Sequence, residues 1–397
     1  MSNVSDANYA SQLERLTRFG QEQVFRYWER LDDRERADLL ADLAEIDLRE
    51  LATLLAENGS LDDSTEMVSR AEGIDADRWL PGSDSSADFE ARRRGEELLS
   101  TGKVGVVIVA GGQGTRLGFD RPKGLFPIGP ASGRTLFEFL FDMIAARSAR
   151  YGRSIPTLVM TSDATDAETR DYFRERSRFG LAPDDLIVFR QGRMPIVDRA
   201  TGKLLLESRS RVAMSPDGHG GMLAALVRDG LLARLRERGI EELFYCQVDN
   251  PLVDVAAPEI LGFHSLRQAD LTTLVVRKRE PLERVGNVVR IDDSMRIIEY
   301  SDLPREAAES RSSDGGLKLW AGNTAIHVMS LAFLERAAGD AAALPFHRAI
   351  KQVPRVDLDS PEAATIVGEG IKFERFIFDL MPNARRPAAI EIEPADL

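Results

Sequence analysis

Apolar residues along this chain follow two rhythms. Short, nearly unbroken runs occur at Val104–Val109, Thr157–Met160, Leu186–Phe189 and Leu243–Val248. Runs of that length and composition read as strands buried on both faces of a parallel sheet. Between them, apolar positions return at helical spacing over Leu136–Ala149, Ala167–Phe179 and Met222–Arg238. The alternation predicts a mostly parallel sheet wrapped by helices, with any ligand at the carboxyl ends of the strands.

The flanks differ. Up to about Glu90 the chain is charged and helical in pattern, with Trp28 and Leu31, then Leu39, Leu40, Leu43 and Ile46, at helix spacing. Asp32-Asp33 reads as a helix start, because acids suit the positive end of the helix dipole. Pro81-Gly82-Ser83-Asp84 reads as a turn-rich linker. Ile196-Val197 and Leu204 to Leu206 flank Asp198–Lys203 as a hairpin would. Leu271–Tyr300 is strand-rich, with Gly286-Asn287 and Asp292-Asp293 as its turns. Two helical stretches and a β-like run, Ile371–Phe378, close the chain. This organisation gives a helical N-terminal domain (1–90, a scaffold), a central α/β domain (91–335) and a small C-terminal segment (336–397).

Composition narrows the classes. The 397 residues are 43% hydrophobic, enough for a large core and more than one domain. A formal charge of −13 argues against non-specific binding to nucleic acid or an acidic membrane. An anionic ligand must then be met by locally concentrated cations and N–H groups. The single cysteine, Cys246, lies in an apolar run, where a small buried core residue is expected, and it rules out an intrachain disulfide. One Cys and four scattered His suggest no zinc site. The N-terminus lacks a signal-peptide pattern and no apolar run is long enough to span a bilayer, so a cytoplasmic protein is expected.

The chemistry begins where the first strand ends. Ile108 to Lys123 reads IVAGGQGTRLGFDRPK. Gly111, Gly112 and Gly114 let backbone approach an anion and aim N–H groups at it. Arg116 and Lys123 add fixed positive charge, so strand, glycine turn and cations form a holder for nucleotide phosphates. The spacing is not that of a P-loop, which needs Gly-Lys-Ser/Thr. Nor is it the dinucleotide G-x-G-x-x-G, because Leu117 fills its sixth position, and this disfavours a nicotinamide-dependent oxidoreductase. Gln191, after the Leu186–Phe189 strand, offers an amide donor and acceptor to a base edge. Asp249, after Leu243–Val248, is a carboxylate suited to Mg²⁺ beside a triphosphate.

The run G-G-x-G-T-R-L-G with Pro122-Lys123-Gly124 resembles nucleotidyltransferases that make nucleoside-diphosphate sugars. Further motifs are Gln191-Gly192-Arg193-Met194-Pro195, Ser215-Pro216-Asp217-Gly218-His219-Gly220-Gly221, Val248-Asp249-Asn250, Glu299-Tyr300-Ser301-Asp302, Gly322-Asn323-Thr324-Ala325-Ile326-His327, Leu344-Pro345-Phe346-His347 and Lys372-Phe373-Glu374. With these the chain resembles the eukaryotic-type UDP-sugar pyrophosphorylases from about Val104 to Asp379, and within them the N-acetylglucosamine branch. The resemblance implies an α/β, Rossmann-like nucleotidyltransferase fold with a mixed, mostly parallel sheet. It implies that Gly111, Gly112, Gly114, Thr115, Gln191 and Gly218 bind the nucleotide, with Gln191 and Gly218 on the pyrimidine. His219, Gly220, Asp302 and Asn323 would bind the sugar, with Glu299 able to replace Asp302, since the family more often carries Glu after Tyr-Ser. Asp249 becomes the metal-side aspartate, and Arg116, Lys123 and Lys372 the phosphate-handling cations.

The expected reaction is UTP plus a hexose 1-phosphate, N-acetylglucosamine 1-phosphate favoured, to UDP-sugar and pyrophosphate, with Mg²⁺. His219 departs from the Asn usual in that branch and matches the G-H-G of enzymes using glucose 1-phosphate, which sets up the alternative sugar. A nucleotide-sugar binding protein without turnover is the alternative of another class. The chain ends soon after Asp379, so no further β-rich oligomerisation domain follows and a monomer is expected.

Overall fold

A computed structural model of the chain describes residues 2–56, 68–79, 85–340 and 342–393, with side chains from residue 8 onward. The expected linker Pro81–Asp84 lies outside the described residues. In chain order the principal elements are α1 (Ser2–Thr17), α2 (Asp33–Glu45), α3 (Leu48–Ala56), α4 (Ser86–Ser100), β1 (Val104–Val109), α5 (Leu136–Tyr151), β2 (Thr157–Thr161), α6 (Asp166–Glu175) and β3 (Leu186–Arg190). They continue with α7 (Gly221–Arg228), α8 (Leu231–Glu237), β4 (Glu242–Gln247), α9 (Pro258–Leu266), β5 (Leu271–Arg277), β6 (Asn287–Ile291) and β7 (Ser294–Ile298). The last are β8 (Ala321–Ser330), α10 (Leu331–Ala338), β9 (His347–Val356), β10 (Thr365–Glu374) and β11 (Pro387–Glu391).

Two compact units share these elements. The larger comprises Ser60–Gln191, Met222–Leu344 and Ile377–Leu397. Its ten-stranded sheet runs in the order Asp77–Arg78, β11, β5, β8, β4, β1, β2, β3, with the hairpin β6–β7 joined to β8. β4, β1, β2 and β3 pair in parallel, while β8 runs antiparallel to β4 and β5, so the sheet is mixed and mostly parallel. Val106, Ile108, Phe244 and Cys246 from the strands pack with Phe137 and Phe141 of α5 and Ile260 and Leu261 of α9. Burial pushes the Cys246 thiol up to about 12, as befits an inert core residue.

The smaller unit comprises Met1–Gly59, Gly192–Gly221 and Pro345–Phe376. The helical start of the chain therefore folds with a mid-chain insertion and a late hairpin. Leu39, Leu43, Leu51 and Leu54 share one core with Val197, Leu204, Val212, Ile371 and Phe373. Asp32 caps α2 as the sequence suggests: its Oδ1 accepts from Glu35 N–H at 2.8 Å, and Glu35 returns the bond to the Asp32 N–H at 3.0 Å. Asp198 closes its turn, its N–H donating to the Lys203 carbonyl at 2.8 Å.

Several elements differ from the pattern read along the sequence. The helix expected over Met222–Arg238 is two, α7 and α8, parted at Gly230 with φ +66°. The one expected over Ala167–Phe179 stops at Glu175, because Ser177, Arg178 and Phe179 take positive φ. The β-like run at 371–378 is the end of β10, a ten-residue strand paired along its whole length with β9 and finished before Phe376. β9 was not apparent because Arg348, Lys351, Gln352 and Pro354 interrupt its apolar alternation. Among the described residues no helix is long and apolar enough to cross a membrane.

Candidate active site

In the larger unit the glycine loop leaves the carboxyl end of β1, the strand between β4 and β2. Ser162 Oγ donates to the Gly111 carbonyl at 2.7 Å and fixes the loop's first turn. A Cβ at Gly111 would lie 2.7 Å from Gln191 Oε1, so the buried Gln191 amide rests against the loop. Gln191 holds its place through its own N–H, which donates to the Thr161 carbonyl at 2.9 Å. Gly114 pairs with Phe119 in a short antiparallel ribbon, and Thr115–Leu117 form one exposed turn of 3₁₀ helix. Arg116, on that turn, is exposed and has no ion pair with a described residue.

Lys123 returns under the loop, its N–H donating to the Gly112 carbonyl at 3.0 Å. Its Nζ lies 2.6 Å from Asp249 Oδ2. Asp249 reaches this position because β4 is parallel to β1, with Gln247 opposite Val109, so both strands end together. The local turn is made instead by Asn250, whose Oδ1 accepts from Leu252 N–H at 3.3 Å. Gly111, Gly112, Gln191, Lys123 and Asp249 are thus brought together.

A second cluster sits on β8 and its neighbours. Asn323 lies within β8, where the ladder shifts register beside Thr273/Val275 and Ala325 has φ +58°. That bulge re-aims the side chain, and its Oδ1 accepts from Thr273 Oγ1 at 3.2 Å and Ala325 N–H at 3.0 Å. The Asn323 N–H donates to the Gly286 carbonyl at 2.8 Å. A Cβ at Gly286 would stand 3.4 Å from Glu299 Oε1 and 3.7 Å from Asn323 Cβ. The carboxylate gathered with Asn323 is therefore that of Glu299, whereas Asp302 is exposed and accepts from Ser301 Oγ at 3.1 Å. Behind them the buried Lys278 Nζ donates to Asn287 Oδ1 at 2.5 Å, and burial pulls this ammonium below its usual pKa.

The smaller unit carries Gly218, His219, Gly220 and Lys372. Here the glycines make room for protein. A Cβ at Gly218, whose φ is +85°, would meet the Arg375 carbonyl oxygen at 2.4 Å, and one at Gly220 would meet the Arg375 carbonyl carbon at 2.7 Å. His219 stacks on Phe376 with centroids 5.4 Å apart, and His347 packs against the same ring at 4.7 Å. Burial, with His347 nearby, lowers the His219 pKa to about 4, so its ring is neutral at physiological pH. Lys372 is on β10, opposite Ala349, and shares a strand face with Glu374, whose Cβ would lie 3.2 Å from a Cβ at Gly218. Phe376 and His347 escaped the sequence reading as site residues. His347 closes one quoted motif and Phe376 lies two residues past another, but only the folded β9–β10 hairpin brings them to His219.

A glycine turn, an amide and a lysine–carboxylate pair at adjacent parallel strand ends define an α/β nucleotidyltransferase. The sequence profile described as UTP–glucose-1-phosphate uridylyltransferase matches residues 61–374, and the chain belongs to that family, the UDP-sugar pyrophosphorylases. It is 37% identical over 394 residues to the human UDP-N-acetylhexosamine pyrophosphorylase-like protein 1, covering 95% of this chain and 77% of the relative. It is 33% identical over 378 residues to the UDP-N-acetylglucosamine pyrophosphorylase of Saccharomyces cerevisiae, covering 91% and 78%. Among solved structures, the Trypanosoma brucei uridine diphosphate N-acetylglucosamine pyrophosphorylase superposes with a TM-score of 0.82 at 28% identity, covering 98% of this chain and 80% of that one.

Proposed function

We propose that the chain joins UTP and N-acetylglucosamine 1-phosphate to give UDP-N-acetylglucosamine and pyrophosphate. The observation that carries this reading is the Lys123–Asp249 pair beneath the glycine loop, in a chain whose relatives are named for that sugar. The sugar phosphate oxygen attacks the α-phosphorus of UTP in line with the departing pyrophosphate. That nucleophile is already an anion, so the protein supplies alignment and charge neutralisation rather than a general base. The loop N–H groups, Thr115, Arg116 and Lys123 hold the triphosphate, with Arg116 and Lys123 meeting the charge that develops on pyrophosphate. Gln191 and Gly218 read the uracil. Lys372 holds the incoming phosphate, and Asn323 and Glu299 bind sugar hydroxyls together with His219 and Gly220.

The residues also fit Mg²⁺. This ion takes one or two carboxylates and completes its shell with water and substrate phosphates. Asp249 offers one half-exposed carboxylate beneath the glycine loop, and the described residues contain no cluster of three His, Cys, Asp or Glu that could hold a metal by itself. Bound there, Mg²⁺ would polarise the α-phosphate.

One observation favours a second sugar: His219 stands between glycines where the N-acetylglucosamine branch usually has Asn. Pyrophosphate release from UTP and Mg²⁺ with N-acetylglucosamine 1-phosphate, beside glucose 1-phosphate and N-acetylgalactosamine 1-phosphate, decides. Preference for an N-acetyl sugar supports the proposal, and preference for glucose 1-phosphate replaces the substrate. Silence with all three, in a protein that still binds UTP, leaves a binding protein. The reading includes a monomer in a reducing compartment, which light scattering after gel filtration tests for the oligomeric state.

A further inference from the structure

The helical start of the chain contains none of the residues assigned to substrates, yet it reaches the glycine turn at Gly218 through one side chain. Arg375 follows β10 directly. Its backbone clamps the turn from both ends: its N–H donates to the Asp217 carbonyl at 2.8 Å, and its carbonyl accepts from the Gly220 N–H at 2.8 Å. The close approach of Gly218 and Gly220 described above is to this same residue. The position of the Gly218–Gly220 backbone is therefore the position of Arg375.

Two contacts hold the Arg375 guanidinium. Its guanidinium lies over the Phe346 ring, 3.7 Å from the centroid. Phe346 in turn packs against the core made by α2, α3 and the β10 residues Ile371 and Phe373. The Nη2 of Arg375 lies 2.9 Å from Glu50 Oε1, on α3. Its Nε is buried and has no acceptor among the described residues, so ring and carboxylate carry the whole load of holding the group. A planar, fork-shaped cation suits stacking and pairing at once, which a lysine does not.

We infer that Glu50 of α3, acting through Arg375, is the device by which the N-terminal helices position the nucleotide-reading turn. Arg375 and Glu50 are positioning residues and touch no substrate. The inference rests on the proposed role of Gly218 in binding the uracil.

The test uses the full chain with Arg375→Met, Glu50→Gln and the double variant. Titration with UTP alone reports the turn without needing turnover. The expected result is a UTP Kd raised roughly ten-fold in Arg375→Met, a loss of about 1.4 kcal/mol of binding. Glu50→Gln gives a smaller rise, and the double variant is no worse than Arg375→Met because both act on one contact. Melting temperatures stay close to the parent. In the reverse reaction the KM for the UDP-sugar rises while that for pyrophosphate holds, a split that general loosening would not produce. Glu369→Gln, which breaks the exposed Arg199–Glu369 pair of the same unit, leaves both unchanged. Unaltered UTP affinity in Glu50→Gln overturns the inference even if Arg375→Met fails to fold, and so does a fall in melting temperature with both KM values raised together. Gly218→Ala tests the reading beneath it separately: normal UTP affinity there removes the uracil assignment, whatever the Arg375 variants do.

Discussion

Lys123 and Asp249 make opposite demands on a variant. On the proposed mechanism, Lys123→Ala removes the cation that meets the leaving pyrophosphate and leaves the Asp249 carboxylate without its partner. Its turnover falls about 10²–10³-fold, the size of one lost transition-state contact, with the circular dichroism spectrum retained. Asp249→Asn keeps the shape, frees Lys123 and shifts half-saturation by Mg²⁺ to higher concentration in a steady-state titration. His219 supplies a pH signature. Its folded pKa of about 4 lies below the 6.5 of a free imidazole, so on acidification the unfolded chain takes up this proton first. The group withdraws stability between pH 6.5 and about 4 and nothing more below that. The His219 ring resonances should titrate near pH 4, and His219→Asn should lose less stability than the parent between pH 7 and 4.5 in denaturant melts. Lys123 and Asp249 were legible as site candidates because each sits beside a strand end or glycine run with local meaning. Glu299 was legible as a substitute for Asp302, but which of the two carboxylates stands near Asn323 was not, since that depends on the register of the β6–β7 hairpin and on where β6 joins β8.

At the scale of elements, the periodicities that matched were those with one cause. β1 is buried along nearly its whole length, so its sequence is uniformly apolar. The departures occur where a single residue overrides a continuing pattern, as at Gly230, or where polar residues occupy a strand that faces solvent, as in β9. The helix pair α4 and α9 shows a contact no periodicity reports. A Cβ at Gly95 would fall 1.8 Å from the Pro258 carbonyl oxygen, and one at Gly262 would fall 1.7 Å from that of Ala91. The two backbones touch, and neither obstacle is a movable side chain. Gly95→Ala should therefore destabilise the protein by about 3 kcal/mol or more, the upper end for overpacking, seen as a lower denaturation midpoint with an unchanged slope.

At the scale of the molecule, strand–helix alternation made the larger unit legible, whereas the smaller unit is assembled from three separate stretches whose kinship is invisible along the chain. Helical periodicity placed apolar stripes on α2 and α3 but could not say that Val197, Leu204, Ile371 and Phe373 would cover them. It follows that a chain shortened to residues 60–397 does not simply lose an appendage. It should expose the insertion and the β9–β10 hairpin, bind an apolar dye such as ANS and aggregate, whereas a monodisperse, dye-silent product would contradict this. The same assembly carries a consequence for biosynthesis. Residues 1–59 leave the ribosome about 300 residues ahead of the hairpin that completes their core. At roughly 5–20 residues per second, the leading helices wait on the order of a quarter-minute to a minute with their apolar stripes uncovered. A segment made well before its partners is thus buried late, which leaves these helices open to chaperones while the intervening chain is translated.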